Sequence, residues 1–331
     1  MTLPTRQRAI EIGFAGGPEA LALRERAVSC PRTGEVLIEV VAAGVNRHDC
    51  NQRKAGPLQG ANPVPGLEVS GRIIACGADV PVSRLGEEVV ALTNGGGYAE
   101  YVTATAALAL PRPDKLDWLS SAALPEALFT IWLNFFELMH LSPGESALIH
   151  GGTSGVGSIG IQLLKAMGHD VYATAGSDEK CLAAMSFGAN SCFRYDDPEL
   201  KEKVLNATHR RGVNCILDMS GGAHIDQDLA MLATDGRLAF LSAGGGATPK
   251  LPLRAIMASR IRLTGALLRA LPTDRKVAIA NQLRDTAWPL LGREVRPHID
   301  CCFTLDQAAE AHRHMEQGSH IGKIMLSIRP D

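Results

Sequence analysis

Apolar residues fall into two textures along the chain. Up to about residue 125 they come in short runs, Val36–Val41, Val69–Ile74, Glu88–Leu92 and Tyr98–Val102, separated by Gly and Pro. Runs of this length with turn residues between them predict strands, and Pro63, Pro65, Pro81, Pro111 and Pro113 mark the loops. A series of short strands suggests a partly open barrel. From Pro125 the pattern changes. Bulky apolar groups in Glu126–Met139 recur at helical spacing, and from Ser146 strand and helix patterns alternate. The predicted strands are Ala147–His150, Asp170–Ala175, Ser191–Tyr195, Asn214–Met219, Arg237–Ser242 and Ile261–Gly265. Between them lie helical stretches at Val156–Met167, Asp178–Phe187, Pro198–His209 and Ile225–Ala233. Such alternation means βαβ units and a parallel, doubly wound sheet. Helical patterns at Arg275–Leu291 and Leu305–Gln317 and a strand at Lys323–Ile328 follow. The expected α/β architecture is a doubly wound domain, 126–266, inserted into a β-rich domain of residues 1–125 and 267–331.

Length agrees with two domains, because single cores stop growing near ~250–300 residues and the chain has 331. The charge balance excludes some partners. With 33 basic and 35 acidic side chains and no long run of either sign, the net charge is −2. A dedicated nucleic-acid or membrane-surface binder would cluster its basic residues. No apolar run is seen to reach the ~18 residues that span a bilayer, and Met1 to Gly13 lacks a signal-peptide pattern. The eight cysteines are scattered without a C-x-x-C, so reduced core cysteines and a cytoplasmic protein are expected.

The clearest chemistry follows the strand ending at His150. Gly155, Gly157 and Gly160 form G-x-G-x-x-G, and an apolar helix continues to Met167. The first glycine allows the tight turn, the second lets backbone approach a pyrophosphate, and the third lets helix and strand pack closely. The helix N-terminus offers N–H groups and a positive dipole end. Because the motif opens a βαβαβ run, a nicotinamide dinucleotide is the expected cofactor. An NAD site places Asp or Glu at the end of the second strand to accept from the ribose 2′-OH. Here that strand ends Ala175-Gly176-Ser177, with Lys180 one helical turn later and Tyr195 at the end of the third strand. A hydroxyl, an ammonium and a phenol suit the 2′-phosphate of NADPH. Ser177 also fits a helix N-cap, and Asp178 and Glu179 fit the first turn of that helix.

Over nearly its full length the chain resembles the medium-chain dehydrogenases/reductases, specifically the quinone oxidoreductase branch that includes zeta-crystallin and the tumour-suppressor-inducible quinone oxidoreductase. The matching stretches are Ala43-Gly-Val-Asn-Arg-His-Asp49, Gly66-Leu-Glu-Val-Ser-Gly71, Gly96-Gly-Tyr-Ala-Glu-Tyr-Val102, Leu124-Pro-Glu-Ala127, the glycine loop, Ala175-Gly-Ser-Asp-Glu-Lys180, Leu217-Asp218 with Gly221-Gly222, and Ile321-Gly-Lys-Ile324. The resemblance implies a Rossmann domain inserted into a GroES-like domain, a cleft between the two, and a homodimer through the sixth strand of the nucleotide domain. It implies cofactor contacts from Asn46, Thr130, Gly152, Thr153, Ser154, Gly155, Val156, Gly157, Gly176, Ser177, Lys180, Tyr195, Gly221, Ser242, Leu268, Gly322 and Lys323. Asn46, Asn51 and Ser154 are the candidate catalytic positions. Some relatives place a tyrosine a few residues after the position of Asn46; this chain has Asn51 or Gln52 there.

Zinc-dependent relatives carry a Cys ligand where this chain has Asn46, a His ligand where it has Leu67, and a four-cysteine lobe after Gly97. From Gly77 to Glu126 there is no Cys. Zinc requires three or four N, S or carboxylate ligands in tetrahedral reach, so no metal is expected. His48, Asp49, Cys50 and Glu68 are a conceivable makeshift cluster, but His48 reads as a hydrogen-bonded loop residue beside the cleft, and Cys301–Cys302 as strand too compact to chelate. Without a Lewis acid, alcohol oxidation is disfavoured. Quinones or activated enones need less help, because the incoming electrons delocalise over a conjugated system. The expected activity is NADPH-dependent quinone reduction. The alternatives are an enoyl or alkenal reductase and, more remotely, a non-enzymatic NADPH-binding protein.

Overall fold

The structure is a computed structural model; it describes residues 3–57, 62–222, 224–242, 248 and 250–329. The chain forms two compact units, one of Met1–Glu126 with Lys276–Asp331, the other Ala127–Arg275. The second crossing falls inside the helix Thr273–Thr286, later than residue 267.

The first unit contains β1 (Arg6–Ile12), β2 (Leu21–Ala27), β3 (Glu35–Val45), β4 (Glu68–Cys76), β5 (Glu88–Leu92), β6 (Tyr101–Thr105) and β7 (Ala109–Pro111). Beyond the second unit it adds β14 (Ile299–Thr304) and β15 (Lys323–Ser327). β1 and β2 pair as a hairpin; the others form a sheet ordered β14-β15-β3-β4-β5-β7, with β6 also on β3. β3 organises this unit. One edge pairs with β6 over Glu35–Glu39 and then with β15 over Ala42–Val45, while the other carries β4. Bulges at Leu37/Ile38 and Val40/Ala42 bend the strand enough to serve all three. Val36, Ile38 and Val40 bury against Val69, Ile73, Val89 and Ile324.

Three expectations change here. The β1–β2 hairpin and the helix Arg47–Ala55 are absent from the hydrophobic pattern, which carries too many charges in both to show a clean period. Tyr98 precedes β6 rather than starting it, with its ring fully buried. The cysteines are not uniformly core residues: Cys50 and Cys215 are buried, Cys30 and Cys302 exposed, and the other four partly accessible.

The second unit contains β8 (Ser146–His150), β9 (Asp170–Ala175), β10 (Ser191–Arg194), β11 (Val213–Asp218), β12 (Leu232–Phe240) and β13 (Arg262–Gly265). All pair in parallel in the order β10-β9-β8-β11-β12-β13, the doubly wound order with its switch point between β8 and β11. β8 and β11 are sandwiched and read as continuous apolar runs, with Ala147, Leu148, Ile149, Cys215, Ile216 and Leu217 all inaccessible. The helix expected over Glu126–Met139 begins as α-helix at Pro125–Ile131 and continues as π-helix over Trp132–Leu138. The helical stretch Trp118–Leu138 is long and apolar enough to cross a membrane, against the expectation that no such run exists, but 78% of its most apolar 18-residue window is buried inside the protein. It is core.

Candidate cofactor loop and buried polar site

β8 hands over to the glycine loop at Gly151, whose φ of +68° is the left-handed conformation that favours glycine. Ser154 is the N-cap of the helix Gly155–Ala166, its Oγ accepting from the Gly157 N–H at 2.9 Å. Its hydroxyl therefore serves the loop. The glycines also serve the loop and helix packing directly. A Cβ on Gly157 would stand 2.3 Å from the Gly151 carbonyl oxygen and 2.9 Å from the Gly152 Cα, so this glycine is required by the loop's own backbone. A Cβ on Gly152 would meet Ala173, and one on Gly160 would meet Ile131 and Ile149, the close helix–strand packing expected of the third glycine. Thr153 is buried, and the Gly152 N–H donates to the Thr174 carbonyl at 2.9 Å. Beneath the loop lies a network that the motif does not announce. His150 reaches Thr174 Oγ1 through Nδ1 and Asp228 Oδ1 through Nε2, both at 2.8 Å.

At the end of β9, Gly176 leads to Ser177, which caps the helix Asp178–Ser186 by accepting from the Lys180 N–H at 3.2 Å. The capping reading thus holds, and the hydroxyl proton is still available to a ligand. Tyr195 follows β10 with its ring over Gly176, where a Cβ would lie 3.1 Å from the phenol oxygen. A cavity of about 350 Å³ opens beside it, lined by Tyr195, Asp196, Asp197, Pro198, His224 and Asp226. Arg194, which sequence reasoning passed over, ends β10 between Asp196 at 2.6 Å and Asp178 at 4.0 Å. Its signal was the strand-end position it shares with Tyr195. In the same unit, Thr130 is buried on the helix Pro125–Ile131, Leu268 is buried, and Ser242 is exposed. Gly221 has φ +79° in a turn held by Asp218, which accepts from Ser220 N and Gly222 N.

In the first unit Asn46, Glu68 and Lys323 form a buried polar cluster. The Asn46 Nδ2 donates to Glu68 Oε1 at 2.9 Å, the Lys323 ammonium donates to Asn46 Oδ1 at 2.9 Å, and Lys323 pairs with Glu68. Glu68 Oε2 accepts from the Glu126 N–H at 2.9 Å. The Glu68 carboxylate lies directly on Gly44, where a Cβ would be 2.1 Å from Oε1, so the Gly44-Val45-Asn46 sequence makes room for it. Lys323 enters from a turn at Gly322, where φ is +86° and a Cβ would stand 2.1 Å from the His298 carbonyl. Asn51 lies exposed on the helix Arg47–Ala55.

A second chain of contacts positions Asn46. Asp49 accepts from Asn46 N at 2.8 Å, Gly66 N at 2.9 Å and the Tyr98 hydroxyl at 3.2 Å. Arg53 donates to His312 Nδ1, leaving His312 Nε2 to donate to the Tyr98 oxygen. Arg53 also pairs with Glu316 at 2.7 Å. Burial and the Arg53 charge hold His312 neutral, with its pKa down at about 3. Burial raises Asp49 to about 6 against the pull of its backbone donors. Glu126, although part of its surface stays accessible, is pushed up to about 8 by desolvation and the neighbouring Glu68 charge.

Glu126 makes stability pH-dependent with a defined sign. Its ordinary value is 4.5, so between that pH and about 8 the native state holds more protons than the unfolded chain. Stability from this group is full below pH 4.5 and is lost as pH rises through 8. Glu126→Gln is therefore expected to gain melting temperature relative to the parent as pH rises from 5 to 8; melting curves across that range giving parallel profiles would refute it.

The residues at the positions of a catalytic zinc in zinc-dependent relatives do not fit that metal. Asn46 offers a neutral amide whose two atoms are already bound, Leu67 is apolar and buried, and the Glu68 carboxylate is paired with an ammonium. His48, expected on a loop, stands with Asp49 and Cys50 on a helix, and Asp49 already accepts from three donors.

Known proteins agree with this fold. The alcohol dehydrogenase GroES-like domain family matches residues 32–114, and the zinc-binding dehydrogenase family matches residues 155–283. The human quinone oxidoreductase is 30% identical over 97% of this chain and 98% of its own length. The chain belongs to the quinone oxidoreductase branch of the medium-chain dehydrogenases/reductases. Among solved structures, a mycobacterial quinone oxidoreductase is 27% identical with a TM-score of 0.83, covering 97% of this chain and 100% of that one. An NAD-dependent alcohol dehydrogenase is 26% identical with a TM-score of 0.86 over 97% and 100%. As in this family, the first unit of this medium-chain reductase is the GroES-like domain and the second the Rossmann-like domain.

Proposed function

We propose that this chain is an NADPH-dependent reductase of quinones that works without zinc. The observation that carries the reading is the set Asn46, Leu67 and Glu68–Lys323, which offers no open ligand at the place where zinc-dependent relatives hold their metal. An alcohol would need that metal to accept its developing alkoxide; a quinone does not. The human relative, named a quinone oxidoreductase, supports the same class of acceptor.

Ser154, Gly155, Val156 and Gly157 at the helix N-terminus would hold the pyrophosphate of NADPH, with Gly152 and Thr153 shaping the loop. Ser177, Lys180 and Tyr195 would hold the 2′-phosphate, and Arg194 adds a guanidinium at the same strand end. Thr130, Gly221, Ser242 and Leu268 would line the rest of the cofactor's course. When bound, NADPH supplies the hydride. Asn46, fixed by Glu68 and Lys323, presents an oriented amide to the reacting end, and Gly322 sets the turn that delivers Lys323. Asn51 is exposed and can meet the acceptor. A homodimer through β13 is in keeping with that strand's place at the sheet edge and with exposed Leu253, Met257 and Leu267 around it.

Lys180→Ala is expected to raise the Michaelis constant for NADPH by roughly 10- to 100-fold, the worth of a charge-assisted contact of ~1.5–3 kcal/mol. The constant for NADH should hardly move. Equal losses with both cofactors would assign Lys180 to the fold instead.

The function itself is tested with NADPH and a panel of quinones, enones, aldehydes and simple alcohols, with and without chelator. Benzoquinones and naphthoquinones should turn over faster than any simple alcohol, and chelation should leave the rate unchanged. Turnover of alcohols alone, or activity that vanishes with extracted zinc, would overturn the reading. Turnover of enones alone would replace it with an enoyl or alkenal reductase.

A further inference from the structure

Asp300, Cys301 and His314 gather in the GroES-like unit, none of them among the residues assigned above. Their ligand atoms all lie within 4.8 Å of one another, and all three side chains are partly buried. Neighbouring residues in a regular strand point to opposite faces, so Asp300 and Cys301 should diverge. They converge because β14 slips against β15: Ile299 pairs with Lys323 and Cys301 with Ile324, so the two residues Asp300 and Cys301 advance while β15 advances one. Such a bulge re-aims the extra side chain. Asp300 then meets His314, on the helix Ala308–Gln317, at 2.7 Å from Nε2. The His320 ring lies beyond, its centroid 6.2 Å from that of His314.

We infer that Asp300, Cys301 and His314 form a binding site for a divalent cation of the zinc class. A thiolate, an imidazole and a carboxylate are the mixed soft and hard donors that zinc takes in tetrahedral sites, and three protein ligands leave one position for water or His320. Asp300 already holds His314 beside it, 2.7 Å from Nε2, so the donors stand together without the ion. The incoming ion displaces the Cys301 thiol proton to solvent as the sulfur becomes its ligand. Asp300 Oδ1 also accepts from the Ile321 N–H at 2.8 Å, and Lys323 N donates to the His298 carbonyl at 2.8 Å. The ion would therefore tie the helix Ala308–Gln317 to β14 and to the turn that carries Lys323. Its role is structural, and quinone turnover does not pass through it. The expectation of no metal, drawn from Asn46, Leu67 and the adjacent Cys301–Cys302, did not reach this cluster.

The test is a titration of the chelator-treated full-length protein with Co²⁺, followed by its thiolate-to-cobalt charge-transfer absorption. One cobalt per chain should bind with that band, and one Zn²⁺ should displace it. Cys301→Ser should abolish the band, and His314→Ala should weaken binding by more than the ~10- to 100-fold that outer-shell changes cost. Cys302→Ser should keep it. Zinc should raise the melting temperature of the parent and of Cys302→Ser but not of Cys301→Ser, whose metal-free melting shows that it folds. No cobalt–thiolate band in the parent, or an unchanged band in Cys301→Ser, would overturn the site. Neither result depends on which acceptor the enzyme reduces.

Discussion

A Gly157→Ala protein is expected to lose turnover to background with NADPH and NADH alike, while the GroES-like unit keeps its melting transition. The added methyl is enough. Its carbon would sit 2.3 Å from the Gly151 carbonyl oxygen and 2.9 Å from the Gly152 Cα, and both obstacles are backbone that cannot rotate away. The loop must open, and with it goes the Ser154 hydroxyl that accepts from Gly157 N. The anion site at the head of the helix Gly155–Ala166 is then no longer assembled. Overpacking of this kind costs ~1–3 kcal/mol locally, which the second unit can survive. Equilibrium binding of NADPH, measured by fluorescence, should disappear together with the rate. Normal cofactor binding by the variant would show that the loop tolerates the methyl and that the contact was misjudged.

Removing Lys323 should have the largest effect on stability. Lys323→Ala leaves the Glu68 carboxylate, which is fully buried, without its cation, and breaking a buried pair costs about 3–5 kcal/mol. It also frees the Asn46 amide, which Lys323 and Glu68 orient between them. Activity should therefore fall beyond what unfolding explains. The paired replacement Glu68→Gln with Lys323→Met removes both charges, and it should be less destabilised than the sum of the two single changes. Urea unfolding of all four proteins checks this. Additive losses would mean that the two side chains stabilise the unit independently.

The sequence alone carried what depends on neighbours in the chain. The alternation after Ser146 gives the parallel sheet because each strand and helix shows its own period. The run from Gly151 to Gly160 gives the cofactor loop because turn, cap and helix start are local chemistry. Ser177 as a cap and the missing acid at the end of β9 are legible for the same reason. Asn46 and Leu67 could be seen as unsuited to zinc by residue type. What the tertiary structure decided lies between distant positions. Glu68 reaches Asn46 across β4 and β3, Lys323 reaches both from β15, and Gly44 is small because Glu68 rests on it. The helix Arg47–Ala55 has no apolar stripe; Arg53, buried against His312 and Glu316, anchors it instead. Asp300 and Cys301 share a face only because β14 bulges against β15, and no periodicity in Ile299–Thr304 announces that slip. Side chains separated by most of the chain meet only when the sheet fixes their register, and until then their charges carry no partner.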